Sequence, residues 1–265
     1  MAVHELPAEH SVRSLVVHTA IHTNRLLLRW VRDPVTLAQS TLFPALMLVM
    51  LNIVLGRQVS AFAGHDALHM TVPMTAIVGV MTGSVVSAVA LGRERRTGLL
   101  ARFWVLPCHR ASGLVSRILA DAARILLCTI VIVGTGCAIG FRFDNGIGPT
   151  VCYFVVPLLF GLAFTTAVTA IAVFTAKAAL VEGISLGTSL LMFFSTGFVP
   201  LQAYPQWARP VVEQQPMSKA IDAMMGLSLG GPVRGPMIAV IAWSLSIIAI
   251  FAVPAAIGYR RASRR

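Results

Sequence analysis

The residues with the most chemical potential lie between 93 and 124, in "RERRTGLLARFWVLPCHRASGLVSRILADAAR". Glu94 stands among Arg93, Arg95 and Arg96. An apolar group of Leu99, Leu100, Phe103 and Trp104 follows, flanked by Arg102 and Arg110. Thr97 has the side chain to cap a helix running to Leu106, and Pro107 ends it. Within that stretch Leu99, Phe103 and Leu106 share one helical face, and Leu100 and Trp104 fall four apart. The segment is therefore expected to be a short amphipathic helix. Water does not favour an exposed Phe-Trp-Leu cluster, so its apolar face needs either lipid or a groove on a cytoplasmic protein. Asp121 has Arg117 four residues before it and Arg124 three after, on the same helix face. That pairing favours a structural carboxylate over a proton relay. Glu182 has Lys177 nearby and takes a structural reading as well, whereas Glu213 is open between supporting the fold and gating.

The chemistry that is missing matters as much. The chain has two lysines, Lys177 and Lys219, and neither follows the glycine spacing of a phosphate-binding loop. No HExxH pattern, no paired carboxylates within a span and no serine–histidine–aspartate order is present. Cys108, Cys128, Cys137 and Cys152 form no CxxC pair, which leaves a disulfide framework and a zinc site without support. An enzyme acting within the membrane would carry polar catalytic groups inside its spans.

The elements that must carry these residues are hydrophobic. Residues of the apolar class make up 57% of the 265, charged residues 12%, and the mean hydropathy is +0.81; soluble domains average roughly 25% charged. Runs free of Asp, Glu, Lys and Arg cover 34–56, 67–92, 125–141, 145–176, 183–208 and 235–259. A transmembrane helix needs about 20 mostly apolar residues. The runs therefore predict an all-α membrane protein of six spans, at about 35–56, 71–92, 114–140, 150–175, 180–199 and 236–258. No cleavable signal is expected in 1–14, which holds Glu5, Pro7 and Glu9 but no apolar core.

Charge placement sets the expected topology. With both termini inside, 16 of the 21 basic residues fall on the cytoplasmic side, as the positive-inside rule requires. Anionic headgroups then become the natural partners of the basic loops, rather than nucleic acid. Three regions follow: 1–33 as a cytoplasmic N-terminus, 34–259 as one membrane domain, and 260–265 as a basic cytoplasmic tail. Residues 10–33 read as an amphipathic interfacial helix with Arg25, Arg29 and Arg32 on one face, and Asp33-Pro34 turns the chain into the first span. Between spans five and six, the proline-rich stretch 195–232 predicts short re-entrant outer helices, with Pro200, Trp207, Glu213 and Pro216 as candidates for an outer gate. Small residues four apart (Gly79/Gly83/Ser87, Gly136/Gly140 and Gly183/Gly187) predict close helix packing.

Two stretches resemble a known family. The segment 93–124 resembles the loop after the second span of ABC-2-type export permeases, in Glu94, Gly98, the apolar Leu99 to Trp104, Leu106-Pro107, Arg110, Arg117 and Ala120-Asp121. The stretch "FFSTGFVPLQAYPQWARPVVEQQPMSKAIDAM" is similar to that family's segment between spans five and six. Within the family the likeness is to daunorubicin-resistance-type permeases of actinobacteria, in particular mycobacterial DrrC-like subunits, through "GLLAR", "HRASGL", "SRILA" and "IGYRRAS". One position departs from the pattern: Ala101 stands where many relatives carry an acidic residue.

The resemblance implies a permease subunit in the plasma membrane, without catalysis of its own. It would pair with a second permease as a heterodimer or homodimer and be driven by a separate ATPase dimer, which binds ATP and magnesium. The helix over 99–106 would then be the coupling helix. The implied cargo is hydrophobic: a complex envelope lipid such as phthiocerol dimycocerosate, or a drug. Spans one, two and five would face the partner and the lipid path, with Phe43, Met81, Met192, Phe193 and Phe194 as its lining. The residues leave two rivals: an ion-coupled transporter using Asp121 or Glu182, and a membrane scaffold or intramembrane lipid enzyme.

Overall fold

The computed structural model describes residues 12–64, 66–98, 112–174, 178–197, 199 and 201–263. All regular structure among them is helical. The amphipathic N-terminal pattern forms α1 (Val12–Arg32). Asp33 then adopts an extended conformation and accepts from the backbone N–H groups of Val35 and Thr36, capping α2 (Pro34–Leu37), which opens on proline. The Thr36 hydroxyl also donates to this carboxylate at 2.7 Å and, with those backbone donors, holds the Asp33 pKa below its ordinary value.

Between α2 and α3 (Phe43–Ala63) the chain makes a single wide π-helical turn, Ala38–Leu42. The sequence reading contained no such feature. Its physical reason lies in Pro44, which has no N–H to give the carbonyl four residues back, and in polar side chains that hold the turn. Ser40 donates to the Thr36 carbonyl at 2.8 Å and accepts from the Trp30 indole at 3.2 Å. Thr41 meets the Cys128 sulfur at 3.0 Å.

The remaining helices are α4 (Leu68–Arg96), α5 (Ser112–Ala138), α6 (Ile147–Phe174), α7 (Ala178–Phe193), α8 (Arg209–Gln214), α9 (Pro216–Leu229) and α10 (Arg234–Ser263). Among the described residues five segments are long and apolar enough to cross a membrane: Pro34–Val54, Leu68–Glu94, Val115–Ala138, Ile147–Ala172 and Arg234–Gly258. The fifth expected span corresponds to α7, whose 16 residues rise about 24 Å, short of the roughly 30 Å hydrocarbon core. Helix α10 continues through residues 260–263 of the basic tail.

Helix α4 is the hub of the bundle. It packs against α3, α5, α6, α7 and α9, and its Val72, Met74, Ile77, Val80 and Met81 lie in the core with Ile125, Ile132, Tyr153 and Val156. Most of span two is packed inside the chain, while its Thr82, Gly83, Val86, Val89 and Ala90 line a cavity. Helix α10 runs along α6 and leaves most of its surface open, as does the outward face of α3.

The stretch expected to be re-entrant comprises a 3₁₀ turn at Leu201–Ala203, then α8 and α9. Helix α9 is no surface hairpin. Its Met217, Ala220, Ile221, Ala223, Met224 and Leu227 join the main core. The 141–146 turn docks on its end, where Asn145 Nδ2 donates to the Leu227 carbonyl at 3.0 Å. His69 Nδ1 and the Ser228 hydroxyl lie 3.0 Å apart there.

Candidate functional site

Arg93 and Glu94 sit in the last turn of α4, just before the segment that the sequence marks for coupling. The helix stops there for a local reason. The Thr97 hydroxyl donates to the carbonyls of Arg93 at 3.1 Å and Glu94 at 3.2 Å, and Gly98 follows with φ +70°. A left-handed residue after a helix is the usual C-terminal stop and suits glycine. Thr97 thus closes α4, and its expected role as the starting cap of the next helix falls on residues outside the described ones. That next helix falls on Leu99, Leu100, Ala101, Arg102, Phe103, Trp104, Pro107 and Arg110, all outside the described residues.

The Glu94 carboxylate is 3% exposed and takes two guanidinium groups, one on each oxygen. Arg29 Nη1 on α1 lies 2.8 Å from Oε1, and Arg117 Nη2 on α5 lies 2.5 Å from Oε2. One carboxylate therefore ties together the N-terminal helix, the hub and α5. The two bonds differ in kind. The Arg117 side chain is 9% exposed, while that of Arg29 is 54% exposed. The inner pair is a desolvated contact in which loss of one partner strands a charge, whereas the outer pair is worth about 0–1 kcal/mol. A further bond ties α1 to α5: the Thr23 hydroxyl donates to the Ser116 carbonyl at 3.3 Å. The expected interfacial helix therefore does more than lie on lipid. Its Val16, Val17, Ile21, Leu28 and Val31 remain exposed, and the opposite side is fastened to the bundle.

Above the clasp opens a cavity of about 1100 Å³, walled by α1, α2, α3, α4, α5 and α7. Arg29, Arg93, Glu94, Arg117, Asp121 and Arg124 line its polar side, and Leu27, Trp30, Leu42, Phe43 and Leu46 are among its apolar residues. Asp121 bonds Arg124 at 3.2 Å, the i, i+3 partner of the two that spacing allowed.

The other expected site residues divide. Phe43 is exposed at the cavity edge, and Phe193 and Phe194 are exposed at the end of α7. Met192 packs against the core. Met81 is 1% exposed, so its place in a substrate lining is corrected: it is a core side chain with no open surface on this chain. On the outer segment Trp207 is 77% exposed, Pro216 opens α9, and Glu213 has Lys219 at 3.6 Å. Pro200 lies outside the described residues, as does the Glu182 side chain. Tyr204 donates to the carbonyls of Phe193 and Ser195, and Gln215 to that of Phe194, so α7's end is tied to the outer segment. Among the described residues no group of three or more metal-binding side chains occurs.

Sequence reasoning missed Asp222. It sits on α9, where the Thr196 hydroxyl donates to it at 2.9 Å. Burial pushes its pKa above the ordinary carboxylate value, against the opposing pull of Thr196 and Lys219. An acid whose folded pKa is raised binds more protons folded than unfolded, so stability falls as pH rises through the window between the two values. Asp222→Asn is expected to flatten that part of the stability–pH profile, measured by thermal unfolding in detergent from pH 4 upward. An unchanged slope would show that Asp222 does not govern it.

A bundle of helices long and apolar enough to cross a membrane is the architecture of an integral membrane protein. The ABC-2 type transporter family matches residues 18–229, and the chain belongs to that family. Over 256 residues, 97% of this chain and 93% of the relative, it is 48% identical to a protein described as a "probable doxorubicin resistance ABC transporter permease protein DrrC" in Mycobacterium tuberculosis strain CDC 1551 / Oshkosh. The same identity and coverage hold for the protein so described in strain H37Rv. A more distant relative, the "daunorubicin resistance ABC transporter permease protein DrrB1" of Streptomyces coeruleorubidus, is 27% identical over 237 residues, covering 88% of this chain and 83% of its own. These relatives are permeases, the membrane components of drug-resistance (Drr) type ABC exporters rather than their ATPases, and such permeases work with an ABC ATPase.

Proposed function

We propose that this chain is the permease half of an ATP-driven exporter. It crosses the plasma membrane six times with both termini inside, pairs with a second permease, and moves a hydrophobic cargo outward. The cargo is a lipophilic drug of the anthracycline kind named for its relatives, or a complex envelope lipid resembling phthiocerol dimycocerosate. ATP and magnesium would bind the separate ATPase dimer. In this reading α7 supplies the fifth of the six crossings. Phe43, Phe193 and Phe194 provide apolar surface toward the cargo path, while Pro200, Trp207, Glu213 and Pro216 belong to the outer gate.

The observation that carries the reading is the Glu94 clasp at the root of the 99–111 segment. Motion delivered to a helix in that segment would pass through Thr97-Gly98 into α4, then through Glu94 to α1 and α5. A rigid, desolvated ion pair transmits displacement better than a mobile surface contact. Of the two carboxylates that the sequence offered to an ion-coupled carrier, Asp121 is ion-paired with Arg124.

Phe103→Asp or Trp104→Asp tests the docking step. The protein should still insert, while the ATPase no longer co-purifies with it and export is lost. Undiminished co-purification and export in both variants would overturn the docking claim.

A further inference from the structure

We propose that the cavity beside the clasp binds the oxyanion head of a membrane amphiphile, with Arg124 as the group that recognises it. Arg124 lies seven residues beyond Arg117 on α5, about 10 Å deeper along the axis. It faces Gly83, which sits within the charge-free run 67–92 of α4. A Cβ built on Gly83 would come within 1.8 Å of Arg124 Nη1, so the guanidinium occupies the space that the missing side chain leaves.

The Arg124 side chain is 6% exposed, and its one recorded acceptor is Asp121 at 3.2 Å. Its Nε and Nη1 atoms are buried and have no hydrogen-bond partner among the described residues. A guanidinium cannot shed its proton to escape burial, and it presents five N–H donors. Unmet donors on a buried charge are costly, and an ionisable group at membrane depth points to function.

The surroundings define what would meet those donors. The cavity is lined by four arginines, Arg29, Arg93, Arg117 and Arg124, against three carboxylates, Asp33, Glu94 and Asp121. Glu94 is shared by Arg29 and Arg117, Asp121 pairs with Arg124 and Asp33 feels Arg93, so the single surplus positive charge sits at the clasp and Arg124 contributes its unfilled donors beside it. Arginine suits phosphate and carboxylate oxygens through charge-assisted bonds. The facing wall of Leu42, Phe43, Leu46, Val85 and Val86 is apolar, which suits an acyl chain and not a free ion. A phosphodiester lipid satisfies both walls at once. The inference stands apart from the exporter reading, since binding requires neither ATPase nor cargo movement.

The test uses the full chain purified in detergent, with dioleoylphosphatidylglycerol, dioleoylglycerol and sodium phosphate as separate additions. Native mass spectrometry reads retention and thermal unfolding reads stabilisation. Phosphatidylglycerol should be retained and should raise Tm, while dioleoylglycerol, which has the same chains and no phosphate, and phosphate alone should do neither. Arg124→Gln should weaken retention at least tenfold, and Arg124→Lys should restore part of it. Gly83→Ala keeps the charge but displaces Nη1 and should also weaken retention, so the test survives if Arg124→Gln does not fold. Equal retention of dioleoylglycerol, or undiminished retention of phosphatidylglycerol by the folded Arg124 and Gly83 variants, would overturn the proposal. Stabilisation by phosphate alone that needs Arg124 would overturn the lipid half and leave a free-anion site.

Discussion

Glu94→Gln is expected to be the most damaging single-atom change in the protein. Glutamine keeps the shape of the side chain but leaves the Arg117 guanidinium buried beside a neutral amide. Breaking a buried pair by removing one partner costs about 3–5 kcal/mol, a large share of the 5–15 kcal/mol by which domains are commonly stable. Arg29→Ala should cost about 1 kcal/mol or less, because that partner is half in water. The order Glu94→Gln above Arg29→Ala is thus a direct reading of the two exposures. Thermal unfolding in detergent measures it, and a double variant, Glu94→Gln with Arg117→Met, should recover part of the loss because no charge is left stranded. Function should separate from stability: Arg29→Ala, although mild in unfolding, should depress cargo-stimulated ATP hydrolysis of the assembled transporter by releasing α1 from α4. Equal stability of Glu94→Gln and the parent protein would show that the clasp is not a structural contact.

Gly161→Val should come next. Helix α6 approaches α4 and α5 so closely at this residue that a Cβ would lie 2.5 Å from Val80 Cγ1 and 2.7 Å from Ile125 Cδ1. Both neighbours are in the fully packed core. Overpacking such a site typically costs 1–3 kcal/mol, and valine adds two methyl groups beyond the first atom that collides. Small residues let helices in lipid approach closely enough for dispersion to hold them, so the α4–α6 contact should loosen. Gly148, on the same helix, has nothing within 4 Å of a built Cβ, and Gly148→Ala should be neutral. Comparing Tm for the two variants isolates packing from helix propensity. Similar Tm values would mean that the crossing is looser than its distances imply.

Much of the architecture is legible from the chain. The amphipathic N-terminal helix, the break at Asp33-Pro34 and the apolar runs all depend on local pattern, and local pattern survives without knowledge of neighbours. Gly79 and Gly136 do approach side chains of other helices closely, as spacing suggested, while Gly183 and Gly187 meet nothing within 4 Å on this chain. What escaped depends on partners far away in sequence. Glu94 meets Arg29 across 65 residues, and nothing in the sequence chooses that arginine among its neighbours. Met81 looks like a flexible lining residue until the hub position of α4 encloses it. Threonine can cap either end of a helix, and the donation of Thr97 to the Arg93 and Glu94 carbonyls is visible only once α4 is built. Asp222 appeared as one acid in a polar stretch, and its burial follows only from α9 entering the core.

The wide turn at Ala38–Leu42 also bears on how this region can change over time. It holds α3 in one rotational setting, with Phe43, Leu46, Met50 and Ile53 pointing outward and Ala45 and Leu48 inward. Losing one residue from the turn would rotate everything after it by about 100°, turning Ala45 and Leu48 away from the core. Point substitutions can therefore accumulate along α3 while its length stays fixed, so the first span should vary freely in side chains and hardly at all in residue count.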